Sequence, residues 1–147
     1  MEQIKIENLS FTYPLAERKA VDGVSLGINS GDFMLLCGRS GCGKTTLLKQ
    51  IKKELAPHGE KTGKIFFDGK ELDKITLRES AEKIGFVMQN QNQMISKAII
   101  FDEVALGLKV RNVPKDEIKE RVNNALKICE MYPYRNWPVS AISFGQK

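Results

Sequence analysis

The chain has 147 residues, about the length of one domain, and its 41% hydrophobic and 28% charged residues are an ordinary composition for a folded protein. Its 23 basic and 18 acidic residues give a net charge of +5 that is spread along the chain, so the charge favours anionic partners only weakly. Three cysteines without paired spacing argue against a disulfide framework or a zinc site, and we expect neither a signal peptide nor a membrane span because the N-terminus and the apolar runs are unsuitable.

The first part of the chain predicts strands arranged around one helix. Alternating apolar residues predict half-buried strands from Ile4 to about Leu9 and from Val21 to Ile28. The nearly continuous apolar run Phe33–Cys37 predicts a strand that is buried on both faces. Apolar residues at helical spacing predict a helix from Lys44 to about Leu55. Further along, the pattern predicts a strand at 64–67 that enters a turn at Asp68-Gly69, a short helix at 76–83 capped by Thr76, and a buried strand at 84–88.

Beyond residue 88 the pattern becomes helical. It predicts helices at 101–108 and 115–129, joined at Asn112-Val113, with Pro114 suited to the first turn of the second helix. The second helix has an apolar face that we interpret as core packing of a helical subdomain; the face consists of Ile118, Val122, Ala125, Leu126 and Cys129. The last stretch, 137–147, is loop-like.

The most informative feature is a glycine-rich loop between the predicted strand 33–37 and the predicted helix at Lys44. Gly38 to Thr45 has the spacing of a phosphate-binding loop, in which consecutive backbone N–H groups point into one concavity. The helix N-terminus adds a positive dipole, the Lys44 ammonium suits outer phosphate oxygens, and the Thr45 hydroxyl suits Mg²⁺. The predicted phosphate-binding residues are Gly38, Arg39, Ser40, Gly41, Cys42, Gly43, Lys44, Thr45 and Thr46. The alternative is a glycine-rich turn that binds nothing, and Cys42 is interpreted as a small loop residue.

Three further stretches resemble one family. Ser10-Phe11-Thr12-Tyr13 precedes the loop, Gln89 follows the predicted strand 84–88, and Ile142-Ser143-Phe144-Gly145-Gln146 lies near the end of the chain. In this order they resemble the ATPase domain of ABC transporters, and most of all the ATPase of energy-coupling factor transporters, which import vitamins and transition-metal ions. The resemblance covers all 147 residues.

The resemblance implies ATP and Mg²⁺ as cofactors. Tyr13 matches the aromatic residue that stacks on adenine, with Phe11 as the alternative. Gln89 matches a glutamine whose amide oxygen joins the Mg²⁺ shell while its loop faces a membrane partner, so Thr45 and Gln89 are the expected metal ligands. Lys44 and Gln89 are the expected catalytic residues.

The stretch from Ile142 to Gln146 matches the family's signature motif. In the family this motif contacts the nucleotide held by a second ATPase domain, so Ser143, Gly145 and Gln146 are expected to contact phosphate. Phe144 stands where the motif usually has a glycine, and Gln91 stands where these ATPases often have a proline.

The resemblance implies an α/β fold: a P-loop NTPase core with an antiparallel β subdomain and a helical subdomain. Residues 1–93 would form the β subdomain and the part of the core that carries the phosphate loop, and 94–147 the helical subdomain with the signature motif. The C-terminal part of the core, with its acidic Mg²⁺-binding pair and its switch histidine, is absent from these residues. We therefore expect weak MgATP binding and negligible hydrolysis from this chain alone.

The implied function is the ATP-binding, energy-coupling subunit of an importer for a vitamin or a metal ion. The implied partners are a transmembrane transporter subunit and a second ABC ATPase domain, and the implied location is cytoplasmic, on the inner face of the cell membrane. One alternative is a non-catalytic nucleotide-binding fragment or regulator. A DNA-associated ABC ATPase is a weaker alternative because no sustained heptads separate Gln89 from the signature motif, so no nucleic-acid partner is expected.

Overall fold

The structure is a computed structural model that describes residues 2–147. It divides into two compact units, one ending at Phe86 and the other beginning at Val87, and each is described by itself. The predicted assignment of 1–93 and 94–147 to separate functional parts stays a prediction.

The first unit contains one antiparallel sheet. The first strand of the chain lies between the second and the third, and the short fourth strand pairs with the other side of the third. Ile4 lies opposite Ile28 on one side and opposite Phe67 on the other, which confirms that the alternating apolar residues form paired strands. The strands are β1 (Glu2–Thr12), β2 (Val21–Asn29), β3 (Glu60–Phe67) and β4 (Lys70–Glu71).

The core of this unit lies where one face of the sheet meets helix α1 (Lys44–Ile51). Leu9 and Phe11 of β1 are almost completely buried, and Leu47 of α1 belongs to the same apolar cluster. Burying such side chains contributes roughly 1.5–3 kcal/mol each, so the cluster fixes the start of α1 against the sheet. The remaining buried members are Ile6, Val21, Ile65, Phe67, Leu72 and Ile75.

Helix α2 (Leu77–Lys83) confirms the predicted cap at Thr76. The Thr76 hydroxyl accepts from the Glu79 N–H at 3.2 Å, and the Glu79 carboxylate accepts from the Thr76 N–H at 2.9 Å. These donors stabilise the charged carboxylate, and the Thr76 N–H in particular holds the pKa of Glu79 below its usual value. The predicted tight turn at Asp68-Gly69 is also present, with φ of 47° and 76°.

Two predicted strands are wrong. Phe33–Cys37 and Ile84–Met88 form no ladder with any segment of residues 2–147, and Phe33 and Leu35 are 96% and 76% exposed. The apolar pattern identified segments suited to a buried strand. A strand also needs neighbouring chain to take its N–H and C=O groups, and the described residues supply none at either place.

The helix predicted to reach Leu55 ends earlier, at Ile51. Lys52 takes an extended conformation, and a single 3-10 turn follows at Lys53–Leu55. The Lys52 ammonium donates to the carbonyl oxygens of Ser80 (2.8 Å) and Ile84 (2.9 Å). These contacts with a distant segment hold Lys52 and overcome the local helical pattern.

The second unit is helical, with α3 (Ile100–Val110) and α4 (Lys115–Ile128) packed on each other. Ile118, Val122 and Leu126 of α4 are buried as predicted. Ala125 and Cys129 are exposed, so the predicted apolar face was too wide: the buried stripe follows the i, i+4 spacing, and α4 ends before Cys129. The stretch 137–147 is loop-like as predicted, with 3-10 turns at Val139–Ala141 and Phe144–Gln146.

Within residues 2–147, none of the helices combines the length and the apolarity that crossing a bilayer requires.

Candidate phosphate-binding site

The glycine-rich loop ends where α1 begins, and Gly43 makes this junction. Gly43 has φ of 95°, in the left-handed region that favours glycine, and it is the N-cap residue of α1. A Cβ atom on Gly43 would lie 2.0 Å from the carbonyl oxygen of Ala20, so the junction lies directly against the chain entering β2. The sheet therefore fixes the position of the loop.

The N-terminus of α1 has backbone N–H groups without main-chain acceptors in the described residues and no acidic residue in its first turn. The N–H groups of Lys44, Thr45 and Thr46 have no main-chain acceptor within residues 2–147, because the first helical bond runs from the Leu47 N–H to the Gly43 carbonyl. No acidic residue lies in the first turn of α1, whereas Asp102 and Glu103 lie in that turn of α3. This end of α1 therefore retains its partial positive charge, and unpaired donors point from it.

The Lys44 ammonium lies across the loop that precedes it. Its Nζ donates to the carbonyl oxygens of Gly38 (2.7 Å) and Arg39 (2.8 Å), and it lies 3.6 Å from the Cys42 sulfur. The side chain thus folds back from α1 over the loop instead of extending into solvent. The loop amides, the helix end and one ammonium group share one small region.

The two threonines that follow Lys44 differ in their surroundings. Thr45 is exposed, and its hydroxyl has no hydrogen-bond partner in residues 2–147. Thr46 is buried, and its hydroxyl lies 2.9 Å from the hydroxyl of Tyr13. Tyr13 is 39% exposed and meets Phe11 edge to face, with ring centroids 4.9 Å apart. Tyr13, predicted from the sequence as an adenine contact, therefore lies beside the first turn of α1.

The groups at the start of α1 fit a nucleoside triphosphate with Mg²⁺. Unpaired N–H groups and one ammonium group suit phosphate oxygens, and the free Thr45 hydroxyl suits a hard cation. All of these groups belong to the first unit, which contains Tyr13 and the predicted residues from Gly38 to Thr46.

The other predicted site residues belong to the second unit. Gln89 is exposed at a bend, and the amide oxygen of nearby Gln91 is buried without a hydrogen-bond partner among the described residues. Ser143 and Gln146 engage each other: the Ser143 N–H donates to the Gln146 side-chain oxygen at 2.9 Å, and the Ser143 hydroxyl accepts from the Gln146 N–H. Gly145 lies in this short turn and Phe144 is exposed.

The sequence did not lead to the prediction of one residue that holds a loop of the second unit in place. The carboxylate of Glu103 in α3 accepts from the N–H groups of Ser96 (2.9 Å) and Lys97 (2.6 Å), so it holds the chain that follows Gln89. An acidic residue in the first turn of a helix, preceded by a polar loop, was the available signal. The contact of Ala20 with Gly43 had no such signal, because it joins segments that are distant in sequence.

Comparison with known sequences identifies the family. The sequence model of a family described as ABC transporter matches residues 21–147. A candidate ABC transporter ATP-binding protein of Enterococcus faecalis is 48% identical over 146 residues, and one of Clostridium perfringens is 49% identical over 144 residues. The match includes 99% and 98% of this chain, which spans about 25% of the length of each relative.

Two solved structures have the same fold. One is cbiO1 from Clostridium perfringens, described as part of the ABC transporter complex cbiONQ, with a TM-score of 0.85, 29% identity, and coverage of 99% of this chain and 58% of that one. The other is an ATP-binding cassette in a dimeric post-hydrolysis state bound to ADP and Pi, with a TM-score of 0.79, 27% identity, and coverage of 97% and 64%. The predicted fold class is confirmed, and the chain belongs to the ABC transporter family, with the fold of part of its ATPase domain.

Proposed function

We propose that this chain binds MgATP at the glycine-rich loop and forms part of the ATP-binding subunit of an importer of the energy-coupling factor type. The observation that carries the proposal is the combination of an open helix N-terminus with the Lys44 ammonium across the preceding loop. The solved relative described as part of cbiONQ supports the importer type. The proposed cargo is a vitamin or a transition-metal ion, selected by a separate membrane subunit.

Within the proposed site, each residue has a distinct task. The N–H groups from Gly38 to Thr46 would hold phosphate oxygens, Lys44 would contact the outer phosphates, and the Thr45 hydroxyl would ligate Mg²⁺. The ring of Tyr13 offers a π face to the adenine. When bound, Mg²⁺ neutralises charge on the phosphates.

The proposed partners follow from the second unit. We propose that the segment following Gln89, which Glu103 holds in place, contacts a transmembrane subunit at the inner face of the membrane. Ser143, Gly145 and Gln146 would contact the nucleotide of a second ATPase domain. The relative whose dimer holds ADP and Pi supports a second ATPase domain as partner.

Isothermal titration calorimetry of the 147-residue chain tests nucleotide binding. We expect saturable heat with MgATP and a dissociation constant below about 1 mM, which corresponds to about 4 kcal/mol of binding free energy. AMP is the matched control because it keeps the adenine and lacks the outer phosphates, and we expect it to bind at least about tenfold more weakly. Equal affinity for AMP and ATP, or no heat with MgATP at millimolar concentration, would contradict the proposal.

Cys42 provides an independent probe of the same loop. Its sulfur is exposed, lies 3.6 Å from the Lys44 ammonium and packs over Gly38, so bound phosphates should cover it. We expect MgATP at ten times its dissociation constant to slow maleimide alkylation of Cys42 about tenfold, since only the free protein reacts. Mass spectrometry can follow each cysteine separately.

Cys129 is the internal control for this experiment, because it is also exposed but lies in the second unit, outside the predicted site. Its alkylation rate should not change with MgATP. If calorimetry detects binding and Cys42 still reacts at its original rate, the nucleotide binds somewhere other than the loop.

A further inference from the structure

A groove of about 980 Å³ lies within the second unit, between the end of α3, the start of α4 and the turn near Tyr132. Its volume is at the upper end of the range for ligand sites in proteins. None of the residues predicted to bind ATP lines it. The proposed ATP binding therefore does not account for this groove.

The groove has an apolar and aromatic floor. Phe101, Ile118 and Tyr132 line it, and Ile118 is buried in the core of the unit. The Arg135 guanidinium lies over the Tyr132 ring, 4.3 Å from its centroid, and donates to the Tyr132 carbonyl at 3.1 Å. These contacts hold the charged group of Arg135 in a defined position beside the apolar floor.

The charge of the groove has a single sign. Lys109, Lys115, Lys119 and Arg135 line it, and within residues 2–147 no acidic side chain does. Asp102 already pairs with Lys109 at 2.7 Å, but the side chains of Lys115 and Lys119 have no ion pair or hydrogen bond in the described part of the chain. These two lysines are four residues apart on α4, so their ammonium groups are one helical turn apart on one face.

We propose that this groove binds an acidic amphipathic helix of a partner protein, with large apolar side chains on the floor and carboxylates one turn apart opposite Lys115 and Lys119. The charge complementarity selects an anionic partner, and the aromatic floor selects one that also has apolar side chains. A phosphate group or a flat lipid surface would match the lysines but leave the floor unfilled. The proposal does not depend on ATP binding.

Fluorescence anisotropy with a synthetic peptide tests the proposal on the full chain. The probe is a labelled helical peptide of Glu, Leu and Ala with carboxylates at i and i+4 and leucines on the same face. The matched peptide has Gln in place of each Glu. We expect the acidic peptide to bind at least about tenfold more tightly than the neutral one at low salt, and 0.5 M NaCl to remove most of the difference.

Charge reversal locates the peptide. In Lys115→Glu/Lys119→Glu we expect affinity for the acidic peptide to fall about tenfold, because two attractive contacts become repulsive. The control Arg121→Glu reverses one positive charge at an exposed position of α4 outside the groove, and its affinity should stay within about twofold of the wild type. Far-UV circular dichroism checks folding, and Lys115→Gln/Lys119→Gln provides a milder second variant that should lose part of the affinity.

Three outcomes would overturn the proposal. The first is equal binding of the acidic and neutral peptides. The second is unchanged affinity in both double variants. The third is binding of phosphatidylglycerol vesicles, lost in the double variants, without binding of the acidic peptide, which would identify the groove as a lipid contact.

Discussion

Lys44→Ala is expected to reduce affinity for MgATP about 100-fold, a loss of about 3 kcal/mol. The Lys44 ammonium lies over the loop, donating to the carbonyl oxygens of Gly38 and Arg39, so its charge is already at the proposed phosphate position. Alanine is a good helix former and retains the backbone N–H at the helix end, but it removes this charge. Alanine also removes the two hydrogen bonds to the loop, but these are exposed and contribute little to folding, so the loss should appear mainly in binding.

Calorimetry measures the loss, and thermal unfolding checks that the fold is intact. Lys49→Ala is the matched control, since Lys49 is a lysine of the same helix that lies in its last turn, away from the loop. We expect wild-type affinity for Lys49→Ala within about twofold. Should both variants lose affinity equally, the effect would be general electrostatics and the assigned role of Lys44 would be wrong.

Gly43→Ala is expected to lower the free energy of unfolding by about 2–5 kcal/mol. The backbone of Gly43 has φ of 95°, where a Cβ atom is strained, and that atom would lie 2.0 Å from the Ala20 carbonyl oxygen. The oxygen belongs to main chain that enters β2, so the clash cannot be relieved by moving a flexible side chain. Either the loop or the edge of the sheet must shift.

Gly41→Ala separates the cost of backbone strain from the cost of the steric clash with Ala20. Gly41 has φ of 80° in the same loop, but a Cβ atom there would have no neighbour within 4 Å, so only the backbone strain of about 1–2 kcal/mol remains. Urea denaturation of both variants gives the comparison. The difference between them measures the steric contact of the loop with β2, and equal destabilisation would show that this contact contributes nothing.

The features that the sequence determined by itself depend on local interactions. The glycines, Lys44 and Thr45 mark a loop that ends at a helix, and α1 indeed begins at Lys44. Thr76 and Glu79 marked the start of α2, and alternating residues marked β1 and β2. Each of these patterns places the interacting groups within a few residues of each other, so the chain needs no distant partner to specify them.

The tertiary structure decided the features that require distant segments to meet. The segments 33–37 and 84–88 have the composition of strands but find no partner among residues 2–147, and Lys52 ends α1 by reaching Ser80 and Ile84. The contact of Gly43 with Ala20 and the hydrogen bond between Tyr13 and Thr46 also join residues far apart in sequence. Strand pairing and side-chain contacts of this kind depend on which surfaces the whole fold brings together, and a local pattern of residue types carries little of that information.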